Sequence, residues 1–155
     1  LYEGGLRVPA LVEWPGTLQP RDVKVPCVSS DYFPTISAIA ALPLAKRPYD
    51  GINIRPILKG KKSQRNHSIG FRFGKDRTLV DDRYKLVHNA GGLSRRRSDN
   101  GTTPVREFEL YDLDADPSET QNIATSSPAV MARMKGELIA FIKSCTASAE
   151  GADYR

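Results

Sequence analysis

The chain of 155 residues holds only two histidines and two cysteines, and that scarcity removes the soft metal sites at once. Cys27 and Cys145 lie far apart, with no Cys-x-x-Cys spacing and no histidine beside them, so no zinc site can be built from them. Sequence leaves open whether they pair as a disulfide or stay as two small core thiols. No apolar run approaches the ~20 residues that a membrane-spanning helix needs, so no membrane role is expected. Internal repeats are missing. The chain opens on Leu1 and not on Met, with no charged-then-apolar leader, and from this an upstream segment is expected.

What is present is ordinary for a water-soluble fold: 39% hydrophobic and 26% charged residues, with a net charge of +5. The excess charge is concentrated in Lys59, Lys61, Lys62 and Arg65, and again in Arg95, Arg96 and Arg97. Both groups lie among Gly, Ser and Asn, where solvated charge is the default. Aromatic residues are not interleaved with them, so no nucleic-acid platform is expected. Two sequons, Asn66-His67-Ser68 and Asn100-Gly101-Thr102, matter only in a eukaryotic secretory chain.

Hydrophobic spacing divides the chain. Ala10, Leu11, Val12 and Trp14 are nearly continuous and read as a buried inner strand over Pro9 to Trp14, closed by a Trp14-Pro15-Gly16 turn. Ser29 or Ser30 caps a helix with Asp31 in its first turn and Ile36, Ile39, Ala40 and Leu42 on its apolar face. After a Pro-rich connector with a turn at Asp50-Gly51, extended segments follow at Ile69 to Phe73, Thr78 to Val80, Tyr84 to His88 and Phe108 to Leu113. Short turns between the first three favour antiparallel neighbours. Asn89 to Pro104 reads as an exposed, mobile loop, and Asp116-Pro117-Ser118-Glu119 as the start of a short helical turn. Val130, Met134, Leu138, Phe141, Ile142 and Cys145 mark one face of a helix opened by Pro128, and Thr146 to Arg155 reads as a frayed tail.

Several of these segments, taken in order, resemble the sulfatase family of the alkaline phosphatase superfamily. They are Tyr2-Glu3-Gly4-Gly5-Leu6-Arg7-Val8-Pro9 with Trp14-Pro15-Gly16; Asp31 with Phe33-Pro34-Thr35; and Asp50-Gly51 with Pro56, Leu58 and Gly60, where Asn53 replaces a usual Ser. Tyr84-Lys85-Leu86, Glu109 to Leu113, Asp116-Pro117, Glu119 and Asn122-Ile123 complete the series. The resemblance implies an α/β fold: the end of a sulfatase/alkaline-phosphatase-like core, followed by a small four-stranded antiparallel sheet with a C-terminal helix. The expected division is 1–48 as the last strand and helix of the catalytic core, 49–66 as connector, 67–145 as the α+β subdomain and 146–155 as tail.

It also implies a parent enzyme that hydrolyses sulfate esters of small molecules or carbohydrates with calcium and a formylglycine, in a periplasmic, secreted or lysosomal setting. Neither cysteine stands in the Cys/Ser-x-Pro/Ala-x-Arg motif that yields formylglycine, and Asp81-Asp82 has no counterpart in the calcium site. The piece alone is therefore expected to bind neither and to be inactive. Tyr2, Glu3, Gly4, Gly5 and Arg7 are the expected groups beside the active site, with Gly4-Gly5 giving the backbone conformations closed to other residues and Glu3 and Arg7 bracing the loop. Arg72, Lys75, Arg77 and Arg95 are candidates for touching an anionic sugar. His67 and His88 receive no role. The alternatives are a phosphodiesterase or phosphonate hydrolase of the same superfamily, or a separate polyanion-binding module. Substrate identity and oligomeric state are not specified by the residues.

Overall fold

The structure, a computed structural model, describes residues 1–90 and 107–154. In order they form helix α1 (Glu3–Leu6), a 3-10 turn (Ser29–Asp31), α2 (Tyr32–Ile39), α3 (Arg55–Leu58), strands β1 (Ile69–Phe73), β2 (Asp76–Val80), β3 (Tyr84–His88) and β4 (Phe108–Asp112), and helix α4 (Pro128–Ala149). The strands make one antiparallel sheet in sequence order, β1-β2-β3-β4, as their alternation and short turns require. Gly74 takes a φ of +58° in the β1–β2 turn, a conformation that costs glycine little.

The register sorts side chains onto two faces. Leu79, Leu86 and Leu110 stand in line across β2, β3 and β4 and meet Met134 and Leu138 of α4, forming the apolar core. Pro128 sits in the first turn of α4, where its missing N–H leaves nothing unpaired. Gly70 of β1 lets α4 approach closely: a Cβ there would stand 2.5 Å from the Phe141 ring. The other face carries Thr78, Val80, Lys85, Val87, Glu109 and Tyr111, and it is polar although largely buried.

Upstream of the sheet, α2 and the connector are joined by polar bonds. Asp31 and Arg65, both buried, form a two-pronged ion pair at 2.5 and 2.8 Å. The Asp31 carboxylate also accepts the N–H of Val28 at 2.9 Å and of Ile52 at 2.8 Å. Thr35 Oγ1 accepts the N–H of Ile54 at 3.0 Å. Gly51 packs so tightly that a Cβ would lie 2.0 Å from the Ser30 carbonyl oxygen, which explains a glycine after Asp50. Ile54 and Ile57 bury the connector.

Four expectations change. Pro9 to Trp14 is not an inner strand: it has no strand partner among the described residues, and Leu11 is 92% exposed. Its apolar run reflects a surface with nothing against it in this chain. In α2 the buried residues are Pro34, Thr35 and Ser37, while Ile36 and Ile39 face outward, because the Asp31–Arg65 pair turns the polar side toward the connector. Asp116 to Glu119 closes as a turn and not as a helix. The Asp116 carboxylate accepts Thr120 Oγ1 and the N–H of Gln121, and so competes with helical bonding. Residues Thr146 to Ala149 continue α4, and a 3-10 turn follows at Ala152–Tyr154, tied by Ser148 Oγ donating to Asp153. The expected loop from Asn89 to Pro104 lies outside the described residues apart from Asn89 and Ala90.

Candidate functional site

The polar face of the sheet receives the N-terminal segment. Lys85, at the middle register of β3, has a fully buried side chain whose Nζ lies 3.0 Å from Glu3 Oε1 and 2.9 Å from Glu119 Oε1. Glu119 Oε2 accepts the backbone N–H of Glu3 at 2.7 Å. One ammonium and two carboxylates thus tie α1, β3 and the turn after β4. Next to them Tyr2 Oη donates to Glu109 Oε2 at 2.6 Å, Tyr111 Oη donates to the same oxygen at 2.8 Å, and the two rings meet edge to face at 6.4 Å. Charged groups out of water are tolerable only when paired in this way.

Glu119 adopts a φ of +56°, in the left-handed region that non-glycine residues avoid at a cost on the order of 1 kcal/mol. The turn holds this conformation because Asp116 accepts the Glu119 N–H through its carbonyl and the Gln121 N–H through its side chain. Hydrogen bonds to its carboxylate, from the Gln121 N–H foremost and then from Thr120 and Ser118, outweigh burial and hold the Asp116 carboxyl below its ordinary range. Beyond the turn, Asn122 Oδ1 accepts the N–H groups of Leu110 and Ala124 and ties the chain back to β4.

Of the expected site residues, Tyr2 and Glu3 are therefore held together against the sheet. Nothing among the described residues requires glycine at positions 4 and 5. Both lie in the short helix α1 with ordinary φ, and a Cβ on either would meet nothing within 4 Å. Arg7 is mostly exposed, and its guanidinium reaches only to 3.9 Å from Glu3, so Lys85 and not Arg7 is the close cation. A shallow depression of about 330 Å³ runs between Tyr2, Glu3 and Gly4 on one side and Pro117, Ser118 and Glu119 on the other.

The basic candidates are placed elsewhere. Arg72 and Arg77 are cross-strand partners on the α4 side of the sheet, away from Glu3, and Lys75 lies exposed in the hairpin turn. Arg77 donates to the carbonyls of Gly74 and Asp76, both at 2.8 Å. Arg95 lies outside the described residues. Arg65, counted by sequence with the lysines at 59, 61 and 62, is buried against Asp31 and adds nothing to a cationic surface.

A larger cleft of about 950 Å³ opens between Ser30 and Asp50, the Asn66 to Ser68 segment, the β2–β3 turn and α4. Three of its acids have internal partners. Asp82 accepts the N–H groups of Arg65 and Asn66, Asp81 accepts those of Arg83 and Tyr84 and pairs with Arg133, and Glu137 pairs with Arg133 and Ser68. His67 lines the cleft with its carbonyl bound to Arg65 Nε, and His88 stacks on Phe108 at 4.4 Å.

Neither cysteine is activated as a nucleophile. Both cysteines are free thiols, and both are pushed above their ordinary range, by burial first and then by Asp31 for Cys27 and Asp50 for Cys145. Among the described residues no three His, Cys, Asp or Glu side chains stand close enough to hold a metal ion. The described residues thus do not supply a calcium or a formylglycine site.

Known proteins resemble the chain across nearly its whole length. Residues 1–144 match the family model described as N-sulphoglucosamine sulphohydrolase, C-terminal. Arylsulfatase G of Rattus norvegicus is 32% identical over 140 residues, which are 82% of this chain and 26% of that protein. Arylsulfatase A of Homo sapiens is 28% identical over 152 residues, 86% of this chain and 30% of that protein. A solved structure from Bacteroides thetaiotaomicron, described as a candidate sulfatase, shares the fold at a TM-score of 0.54 and 22% identity, over 78% of this chain and 25% of that one. The chain therefore spans less than a third of the length of the curated relatives it matches. No helix among the described residues is long and apolar enough to cross a membrane.

Proposed function

Because the chain belongs to the C-terminal family of N-sulphoglucosamine sulphohydrolase-type sulfatases, we propose that it is the C-terminal part of an enzyme that hydrolyses sulfate esters. In such an enzyme water cleaves R–O–SO₃⁻ to the alcohol and sulfate. The nucleophile and calcium would come from outside these residues. This part would supply the wall that fixes the Tyr2 to Arg7 segment beside the active site. The observation that carries the reading is the buried Lys85 held between Glu3 and Glu119, since it spends a desolvated charge on one short stretch of backbone.

The proposed division keeps 1–48 with the catalytic core, 49–66 as connector and 67–145 as the subdomain, so that the polar sheet face is the surface turned to the core. A sulfated carbohydrate is the favoured substrate class. An N-acetylgalactosamine-6-O-sulfatase of Bacteroides thetaiotaomicron is 26% identical over 92% of this chain. Arg72, Lys75 and Arg77 on the hairpin, with Arg95, are the proposed contacts for its anionic groups, and they would meet the sugar at a different edge of the sheet from Tyr2 to Arg7. The proposed setting is periplasmic, secreted or lysosomal.

The test is to assay the intact parent protein and the 155-residue chain side by side with 4-nitrocatechol sulfate and with sulfated amino sugars, in the presence of calcium. Turnover by the parent and none by the chain is the expected result. Turnover by the chain alone, or a parent active on phosphate diesters and inert toward every sulfate ester, would falsify the reading.

A further inference from the structure

Glu119 stands out because three features are concentrated on one residue: its carboxylate is buried, its backbone is left-handed, and its carboxylate accepts a backbone N–H from 116 residues away. A turn with no task beyond linking β4 to α4 would place Gly or Asn at this φ and avoid both penalties. What the glutamate adds is a carboxylate that accepts the N–H of Glu3 at 2.7 Å and forms an ion pair with the ammonium of Lys85 at 2.9 Å. Lys85 in turn reaches Glu3 Oε1 at 3.0 Å, so Glu3 is held by its backbone and its side chain at once. Such a two-point hold removes both translation and rotation of the segment, whereas one contact would leave it free to pivot.

We infer that Glu119 and Lys85 are positioning residues for the hydrolytic reaction. Together they set the path of the Tyr2 to Arg7 segment, through the Glu3 amide and carboxylate, without touching substrate. The inference rests on the proposed sulfatase reading. Misplacing a segment that borders a reaction by about 1 Å is worth on the order of 10²-fold in rate. Loosening the hold therefore lowers kcat and leaves KM nearly unchanged, because groups outside this chain still bind the sulfate.

The experiment uses the intact parent enzyme with Glu119→Gln, Glu119→Gly, Lys85→Met and the double variant Lys85→Met/Glu119→Gly, reading kcat, KM and melting temperature for each. Glu119→Gly is the informative substitution, since glycine suits the left-handed backbone and keeps the fold while the carboxylate is lost. The expected result is a kcat lowered about tenfold to a hundredfold with KM within about threefold, and a double variant little worse than Lys85→Met alone. A kcat per folded enzyme equal to wild type in Glu119→Gly overturns the inference. So does additive loss in the double variant. If the wild-type parent hydrolyses no sulfate ester, the underlying reading fails and the inference falls with it. If the parent is active and the variants match it, only the inference fails.

Discussion

The guanidinium of Arg65 grips both carboxylate oxygens of Asp31, with both side chains fully out of water, across 34 residues of chain. The same carboxylate caps Val28 and receives Ile52, so one side chain joins the α2 entry, the connector and the approach to β1.

Removing one partner strands the other charge. Arg65→Met should destabilise the chain by about 3–5 kcal/mol, read by urea unfolding. Replacing both residues with apolar ones should not restore stability, because the N–H groups of Val28 and Ile52 would lose their acceptor. Full recovery in Asp31→Leu/Arg65→Met would show that the pair has no such capping role.

Acid should act through the same site. Burial alone would raise the Asp31 carboxyl, but the Arg65 hydrogen bonds and the N–H groups of Ile52 and Val28 outweigh it and hold the group below its usual 3.8. A depressed folded value contributes stability that is fully present above the unfolded value and is lost as pH falls through the folded one. Stability should therefore decline from just above pH 3.8 downward, and the decline should be shallower in Asp31→Asn. Unfolding profiles of the two proteins that stay parallel from pH 6 to pH 2 would contradict this.

Two glycines should respond unequally to a methyl group. At Gly51 the obstacle is the Ser30 backbone, 2.0 Å away, which cannot rotate aside, whereas at Gly70 it is the Phe141 ring at 2.5 Å, which can. Gly70→Ala should cost about 1–3 kcal/mol and Gly51→Ala more, measured by thermal melts. The reverse order would mean that the Ser30 turn is softer than its bonds indicate.

Core truncation should separate the layers. Leu138→Ala or Met134→Ala removes a fully buried group between α4 and the sheet and should cost about 2–5 kcal/mol. Hydrogen exchange should then quicken in α4 and at Leu79, Leu86 and Leu110 before it does at Asp31. Uniform quickening would indicate a single cooperative unit.

The outward side of α2 should be adhesive in the 155-residue chain, since Tyr32, Phe33 and Ile36 are all more than half exposed. Ile36→Lys should lower binding of a hydrophobic dye and self-association without loss of stability. An unchanged dye signal would place the exposed apolar surface elsewhere.

How much of this was legible depended on whether the signal was local. Tyr84 to His88 and Ile69 to Phe73 fall where alternation puts them, and α4 follows the spacing from Val130 to Ile142, because in these elements one face meets a core within the chain. Pro9 to Trp14 and the face of α2 misled for the converse reason: their apolar patterns match surfaces these residues do not contain. The site was half visible. Tyr2, Glu3, Lys85 and Glu119 all stood in segments that resemble the family, but Lys85 read otherwise only as a strand residue and Glu119 as a helix start, with nothing to bring the four together. The one available clue was parity. If Leu86 and Leu110 face α4, then Lys85, Glu109 and Tyr111 must share the opposite face, and a lysine in the middle of a strand there calls for an acid. Nothing in spacing could say that the acid lies at position 3.

That separation in sequence also sets a timetable. A ribosome adding about 5–20 residues per second needs roughly 6–23 s to travel from Glu3 to Glu119, and through that interval the Glu3 amide lacks the carboxylate that accepts it. The sheet and α4, built from neighbours in the chain, can form as they emerge. The hold on Tyr2 to Arg7 is complete only once Glu119 has been made, so a nascent protein carries this segment partly unfastened until the final quarter of this chain begins to emerge.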